Sequence, residues 1–248
     1  MTTINDSSQP HRLVNKFGLI VQDLRRASNK MFVTTVQQAG KRSLTKSNKF
    51  FLLALIRMTE CLQSIELLIS KNMKRDAAVL LLTLMELRLD MAHIADDKTR
   101  ADEWFSHSKE GKKPWRVHDL INKLFPDESE RKAWQANYRI FSMIKHGNPK
   151  SGTMGFPLGV EDGWLVVDRD PYDPNIPAVI LFSAGSLCAS MAKVAGSDFA
   201  ASGFDVHEIT ASVEKLESKL ADMNAKHVHA ILVGYMDSTG GGDQSGAP

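Results

Sequence analysis

Asp76-Ala77-Ala78-Val79-Leu80-Leu81-Leu82-Thr83-Leu84-Met85-Glu86-Leu87-Arg88-Leu89-Asp90 is the stretch whose reading decides the fold. It lies in a helix expected over residues 74–96, and its apolar positions run nearly all the way round the helical wheel. A helix of that kind belongs at the centre of a bundle. The stretch before it, residues 47–71, has helical periodicity as well, with Phe50, Phe51, Ala54, Met58, Leu62 and Ile65 among its apolar positions and Ser47 as the expected cap. Only Asn72 and Met73 separate the two. The pair therefore reads as an antiparallel helical hairpin in the middle of an all-α, multi-helix bundle.

Working outward, residues 11–30 carry Leu13, Val14, Phe17, Ile20, Val21 and Leu24 at helical spacing. Residues 31–46 are mixed, and Phe32-Val33-Thr34-Thr35-Val36 is compatible with an extended segment or with continuation of the helix. On the far side, Thr99 is the expected cap of a short helix with Trp104 and Phe105 turned inward, and Trp115–Phe125 forms another. Asp127 caps a helix that runs to His146, with Glu130 three residues on. Then the texture changes. Residues 148–178 hold five of the nine prolines, Val160-Glu161-Asp162-Gly163 reads as a turn and Trp164-Leu165-Val166-Val167 as a short strand. A short β-hairpin-like insertion is expected around residues 153–168. Helix resumes at Ile176, with Gly185, Ser186, Ala189 and Ser190 permitting close helix approach, and a last long helix spans Asp205 to Val233. The domain plan is a disordered leader over residues 1–10, one helical-bundle domain over 11–235 and a disordered tail over 236–248.

The chain has 248 residues, 43% hydrophobic and 24% charged, with a net charge of +2. These are ordinary values for a globular protein, and the charge alone does not predict nucleic acid. Cys61 and Cys188 are far apart in apolar helical contexts, and no Cys/His spacing suits zinc. Both read as buried thiols in a reducing compartment. Arg57, Glu60, Glu86, Arg88 and Asp90 interrupt the apolar runs, and no signal core opens the chain. The expected location is cytoplasmic, with no membrane partner.

Three groups of residues are candidates for function. The first lies at a helix end, in Tyr138-Arg139-Ile140-Phe141-Ser142-Met143-Ile144-Lys145-His146-Gly147. Arg139, Ser142 and His146 are spaced i, i+3, i+7 and share a face. A guanidinium, a hydroxyl and an imidazole on one stripe can grip an anion and move a proton, while a histidine in a last helical turn also suits the helix dipole. The second is a run without acids. Between Asp23 and Glu60 there is no carboxylate, yet Arg25, Arg26, Lys30, Lys41, Arg42, Lys46, Lys49 and Arg57 fall there. That run is either a solvated surface neutralised by acids from elsewhere in the fold or a patch that attracts phosphates. The third is Thr83, Glu86, Asp90, His93 and Asp97, which share a face. Glu86 with Asp90-x-x-His93 invites a metal reading, but no second copy of the motif exists to complete a dimetal bundle. No metal and no cofactor are expected.

The order of elements, with Leu84-Met85-Glu86-Leu87-Arg88-Leu89-Asp90, then Trp104-Phe105, then Tyr138-x-x-x-Ser142-x-x-x-His146, resembles the DUF5677 group of helical proteins over roughly residues 45–200. More broadly, Arg139-x6-His146 is similar to the signature of the HEPN superfamily, an Arg followed by four to six residues and a His near a helix end. Two positions depart from these patterns. Ile140 follows Arg139 where HEPN proteins carry a polar residue, and Leu82 stands where the DUF5677 group has an Arg, with Arg88 nearby as a substitute.

The resemblance implies a metal-independent endoribonuclease acting at a homodimer interface, in a defence or toxin setting, with an antitoxin or other defence partner. In that scheme His146 moves the proton of the RNA 2′-hydroxyl or of the leaving oxygen, and Arg139 forks onto the phosphate. Ser142 orients the imidazole or adds a hydrogen bond. Lys145, with Arg25, Arg26, Lys41, Arg42, Lys46 and Lys49, guides the RNA backbone. The alternative is a non-catalytic helical dimer of the same fold serving as an interaction or nucleic-acid-binding module.

Overall fold

The computed structural model describes residues 8–40, 43–110, 114–145, 158–161, 164–167 and 175–223. Among these residues eight helices form: α1 (Ser8–Ala39), α2 (Lys46–Ser70), α3 (Lys74–Asp96), α4 (Arg100–Glu110), α5 (Val117–Leu124), α6 (Glu128–Lys145), α7 (Asn175–Ala201) and α8 (His207–Met223). The molecule is an all-α multi-helix bundle. Between α6 and α7, two four-residue segments, β1 (Leu158–Glu161) and β2 (Trp164–Val167), pair antiparallel with Leu158 opposite Val167 and Glu161 opposite Trp164.

Helix α7 touches α1, α2, α3 and α8, and contacts along it set the direction of each neighbour. Phe17 meets Phe182 edge-on and Ser28 lies 3.8 Å from Cys188, so α1 runs with α7. Arg88 reaches Ser190 and Lys98 reaches Asp198, so α3 also runs with it. Lys193 pairs with Glu217, while Leu220 lies against Gly185 and Thr210 against Gly196, so α8 runs against it. The α2–α3 hairpin then places α2 antiparallel as well. A Cβ at Gly196 would sit 2.6 Å from Thr210 Oγ1, so this glycine lets α7 and α8 approach closely.

Ala178, Leu181, Ala184, Cys188, Met191 and Phe199 are all buried against this ring of helices. Each large apolar side chain so enclosed contributes about 1.5–3 kcal/mol. By length and composition α7 could cross a membrane, but 56% of its apolar window is already buried inside the bundle. The central position expected of residues 74–96 is thus shared with α7. Helix α3 buries Leu81, Leu82, Leu84 and Leu89, and on its other side it carries a smaller cluster in which Leu89 meets Leu120, Ile121 and Phe125, with Trp134 and Tyr138 packed on it.

Several element boundaries differ from the sequence reading. Helix α1 starts at Ser8, inside the expected leader, and continues through residues 31–39, where Met31 and Thr35 are buried one turn apart. Ser47 does not cap α2. Thr45 does, accepting the Asn48 amide at 3.0 Å while Asn48 Oδ1 accepts the Thr45 amide at 3.1 Å. Thr99 turns its hydroxyl to Asp97 at 2.6 Å rather than onto the start of α4. Asp127 accepts the Glu130 amide at 2.8 Å, the cap expected of it. Residues 1–7, the 224–233 part of the last expected helix and the 236–248 tail lie outside the described residues.

One buried carboxylate ties the ends of these helices together. Asp198, near the end of α7, accepts from Ser47 Oγ at 3.1 Å, from Asn48 Nδ2 at 2.7 Å and from Lys98 Nζ at 2.8 Å. Replacing it removes the shared acceptor of three donors, two of them on buried residues. Asp198→Ala is expected to cost roughly 2–4 kcal/mol in denaturant unfolding, and Asp198→Asn less, because the amide oxygen still accepts one bond.

Candidate functional site on the sixth helix

Helix α6 crosses α3 in the opposite direction. Tyr138 donates its hydroxyl to Glu86 Oε1 at 3.0 Å, and Trp134, one turn earlier, packs in the cluster with Leu89. Burial and the Glu86 carboxylate push the Tyr138 phenol up to about 12, so it stays protonated and donates. Trp134, Tyr138 and Phe141, spaced i, i+4, i+7, form the inward stripe of α6. Arg139 is therefore turned outward. It is exposed, and among the described residues no carboxylate pairs with it. Ser142 is half-buried one turn on, and Lys145 is exposed at the last helical position. Arg139 and Ser142 thus sit on one helix, one turn apart, and His146 lies outside the described residues.

The polar stripe of α3 has structural partners. Besides the Glu86–Tyr138 bond, Trp115 Nε1 donates to Asp90 at 2.7 Å. His93 packs edge-on against Trp115 with ring centroids 4.7 Å apart. Arg100 Nη1 donates to the His93 carbonyl at 2.7 Å and stands 3.3 Å from His93 Nδ1. Arginine has no acceptor, so that nitrogen must be the bare one and the proton sits on Nε2. Burial, then the charges of Arg100 and Lys123, lower the His93 pKa to about 4. Among the described residues no group of three His, Cys, Asp or Glu side chains is placed to hold a metal ion. Arg88, from the same helix, donates Nε to Ser190 Oγ at 2.7 Å, while its Nη1 is buried with no acceptor. Burial lowers its pKa against the attraction of Glu130.

The cations of the acid-free run are partly neutralised. Arg25 lies 3.5 Å from Glu66, Arg26 2.8 Å from Asp23 and Arg57 3.6 Å from Glu60, and Lys46 pairs with Asp102 of α4. Lys49 is exposed, and Lys41 and Arg42 lie outside the described residues. Position matters as much as pairing. Lys46 and Lys49 stand at the start of α2, beside the end of α3, whereas the C-terminal half of α6 lies toward the start of α3. Glu86, which holds Tyr138, and Lys98, which shares Asp198 with the start of α2, are 12 residues apart, so the separation along the helix axis is roughly 20 Å. The structure therefore does not bring Lys46 and Lys49 to Arg139, Ser142 and Lys145.

Reading from sequence passed over Asp198, Trp115 and Arg100. Asp198 had a usable signal, since it is the one carboxylate between Asn175 and Asp205 in an otherwise apolar helix. A buried carboxylate there must find a partner.

The His93 environment sets a pH dependence. Between pH 6.5 and about 4 the unfolded chain binds a proton at this histidine that the folded chain does not. Stability is then complete above pH 6.5 and falls on acidification through that window. Thermal melts from pH 7.5 to 4.5 should show a midpoint falling by several degrees, and His93→Gln should flatten that slope. Equal slopes for parent and variant would show that His93 does not carry it.

Compared with known proteins, the chain matches no family model, no curated protein and no solved structure.

Proposed function

We propose that this chain is a HEPN-like, metal-independent endoribonuclease whose working end is the C-terminal part of α6. The observation that carries this reading is the outward-facing Arg139, which has no carboxylate partner among the described residues, with Ser142 one turn along and Lys145 exposed beyond it. A guanidinium held free of carboxylates is suited to fork onto a phosphate diester and to stabilise charge building on it. Its helix is braced by the Tyr138–Glu86 bond, so the cation is presented from a fixed base. RNA supplies its own nucleophile, the 2′-hydroxyl. His146, which follows Lys145 in the sequence, would take that proton or return one to the leaving oxygen. The protein would act as a homodimer in a defence or toxin setting, with β1 and β2 in the insertion that follows α6.

A second reading is a non-catalytic module of the same fold. It is favoured by the ion pairs that occupy Arg25, Arg26, Lys46 and Arg57, and by the distance between Lys46 and Lys49 and the end of α6. Those residues offer little guidance for RNA toward Arg139.

Cleavage of single-stranded RNA in EDTA separates the two. The nuclease reading predicts cleavage by the parent and a loss of roughly a hundredfold or more in His146→Ala and in Arg139→Ala. RNA binding without cleavage by the parent supports the module, and equal cleavage by all three proteins removes α6 from the chemistry.

A further inference from the structure

The large hydrophobic side chains that are exposed among the described residues are Leu19, Val33, Val36, Leu53, Ile56, Leu67 and Met73. All lie on α1, on α2 or on the residue that joins α2 to α3. Leu19 and Leu67 are 62% and 59% exposed, more than single surface leucines need be. Their spacing is regular. On α1, Arg12, Leu19, Arg26 and Val33 recur every seven residues, so cations and apolar groups alternate along one stripe. On α2, Lys49, Leu53, Ile56, Glu60 and Leu67 are spaced 4, 3, 4 and 7, again one stripe. The two stripes flank one seam, because Arg25, beside Arg26, reaches Glu66, beside Leu67.

The charge on this face is one-sided. Its exposed carboxylates, Asp23 and Glu60, are each matched by a neighbouring arginine, and Lys46 is matched by Asp102. Arg12, Lys16, Lys30 and Lys49 are exposed and have no acidic partner among the described residues. A surplus of cations with apolar side chains between them has a definite chemical complement, a surface that is anionic and also accepts hydrocarbon. A second copy of the same face would bring like charges together. A nucleic-acid backbone would meet the cations but give the leucines and valines nothing to enter. A partner helix would need its anchors gathered into a groove, whereas these are spread along helices some 40 Å long.

We propose that the outer face of α1 and α2 docks on an anionic lipid bilayer, lying in the headgroup layer with Leu19, Leu53, Ile56 and Leu67 inserted and Lys30 and Lys49 on the lipid charges. This is surface attachment through helices that remain packed in the bundle, on a part of the molecule apart from α6.

The test is flotation of the intact protein with vesicles of phosphatidylcholine alone or with a third phosphatidylserine, at low and high salt. Binding to the anionic vesicles is expected, weakening at high salt and falling by roughly tenfold or more on pure phosphatidylcholine. Leu53→Ser with Leu67→Ser, and separately Lys30→Glu with Lys49→Glu, should each reduce binding by roughly tenfold. All these positions are exposed, so circular dichroism and melting should match the parent. Two results overturn the proposal: vesicle binding absent or unchanged in both variants, or binding of single-stranded RNA in place of vesicles that is lost with the lysine pair.

Discussion

The burial of α7 is the constraint on which the rest of the structure depends. A 27-residue helix with this much apolar surface cannot stay in water, and the bundle is arranged to cover it. Helices α1 and α3 run alongside it, and α2 and α8 run against it. Gly185 and Gly196 let α8 come close where a larger residue would hold it off. The same enclosure raises the Cys188 thiol to about 12, so this cysteine behaves as a packing group rather than a nucleophile.

Burial on that scale leaves polar groups that must be satisfied, and their partners fix the register of the helices. Asp198 collects Ser47, Asn48 and Lys98, which joins α7 to the first turn of α2 and to the second residue beyond α3. On the other side of α3, Glu86, Asp90 and His93 perform the same service for α6, Trp115 and Arg100. A face that could be taken for a catalytic or metal-binding stripe is used to dock the smaller α5–α6 layer. On the outward side of α6, Arg139 has no such engagement among the described residues.

Much of the fold was legible because helical periodicity is a strong local signal. The α2–α3 hairpin, the start of α6 at Asp127 and the inward turn of Trp104 all follow from spacing and caps. Other features were not legible, for physical reasons. Helix α1 continues past residue 31 because tertiary burial of Met31 and Thr35 outweighs the β-branched run there. Thr45 rather than Ser47 caps α2 because Ser47 is drawn to a carboxylate 151 residues away, which no local pattern encodes. The polar stripe on α3 could not be assigned until Tyr138, Trp115 and Arg100 were seen to arrive from three separate elements. For the site, sequence could place Arg139 and Ser142 on one face. It could not tell that the basic residues opening α2 stand beside the end of α3, several turns away from them.

Amide hydrogen exchange across the native chain tests the central claim most directly. If α7 is the covered axis of the bundle, its amides from about Leu181 to Phe199 should be the slowest to exchange, opening only with global unfolding, while those of α5 and α6 exchange sooner through partial opening. Exchange of α7 as fast as, or faster than, α5 and α6 would contradict the account, because a helix that opens independently cannot be what the other helices are organised to bury.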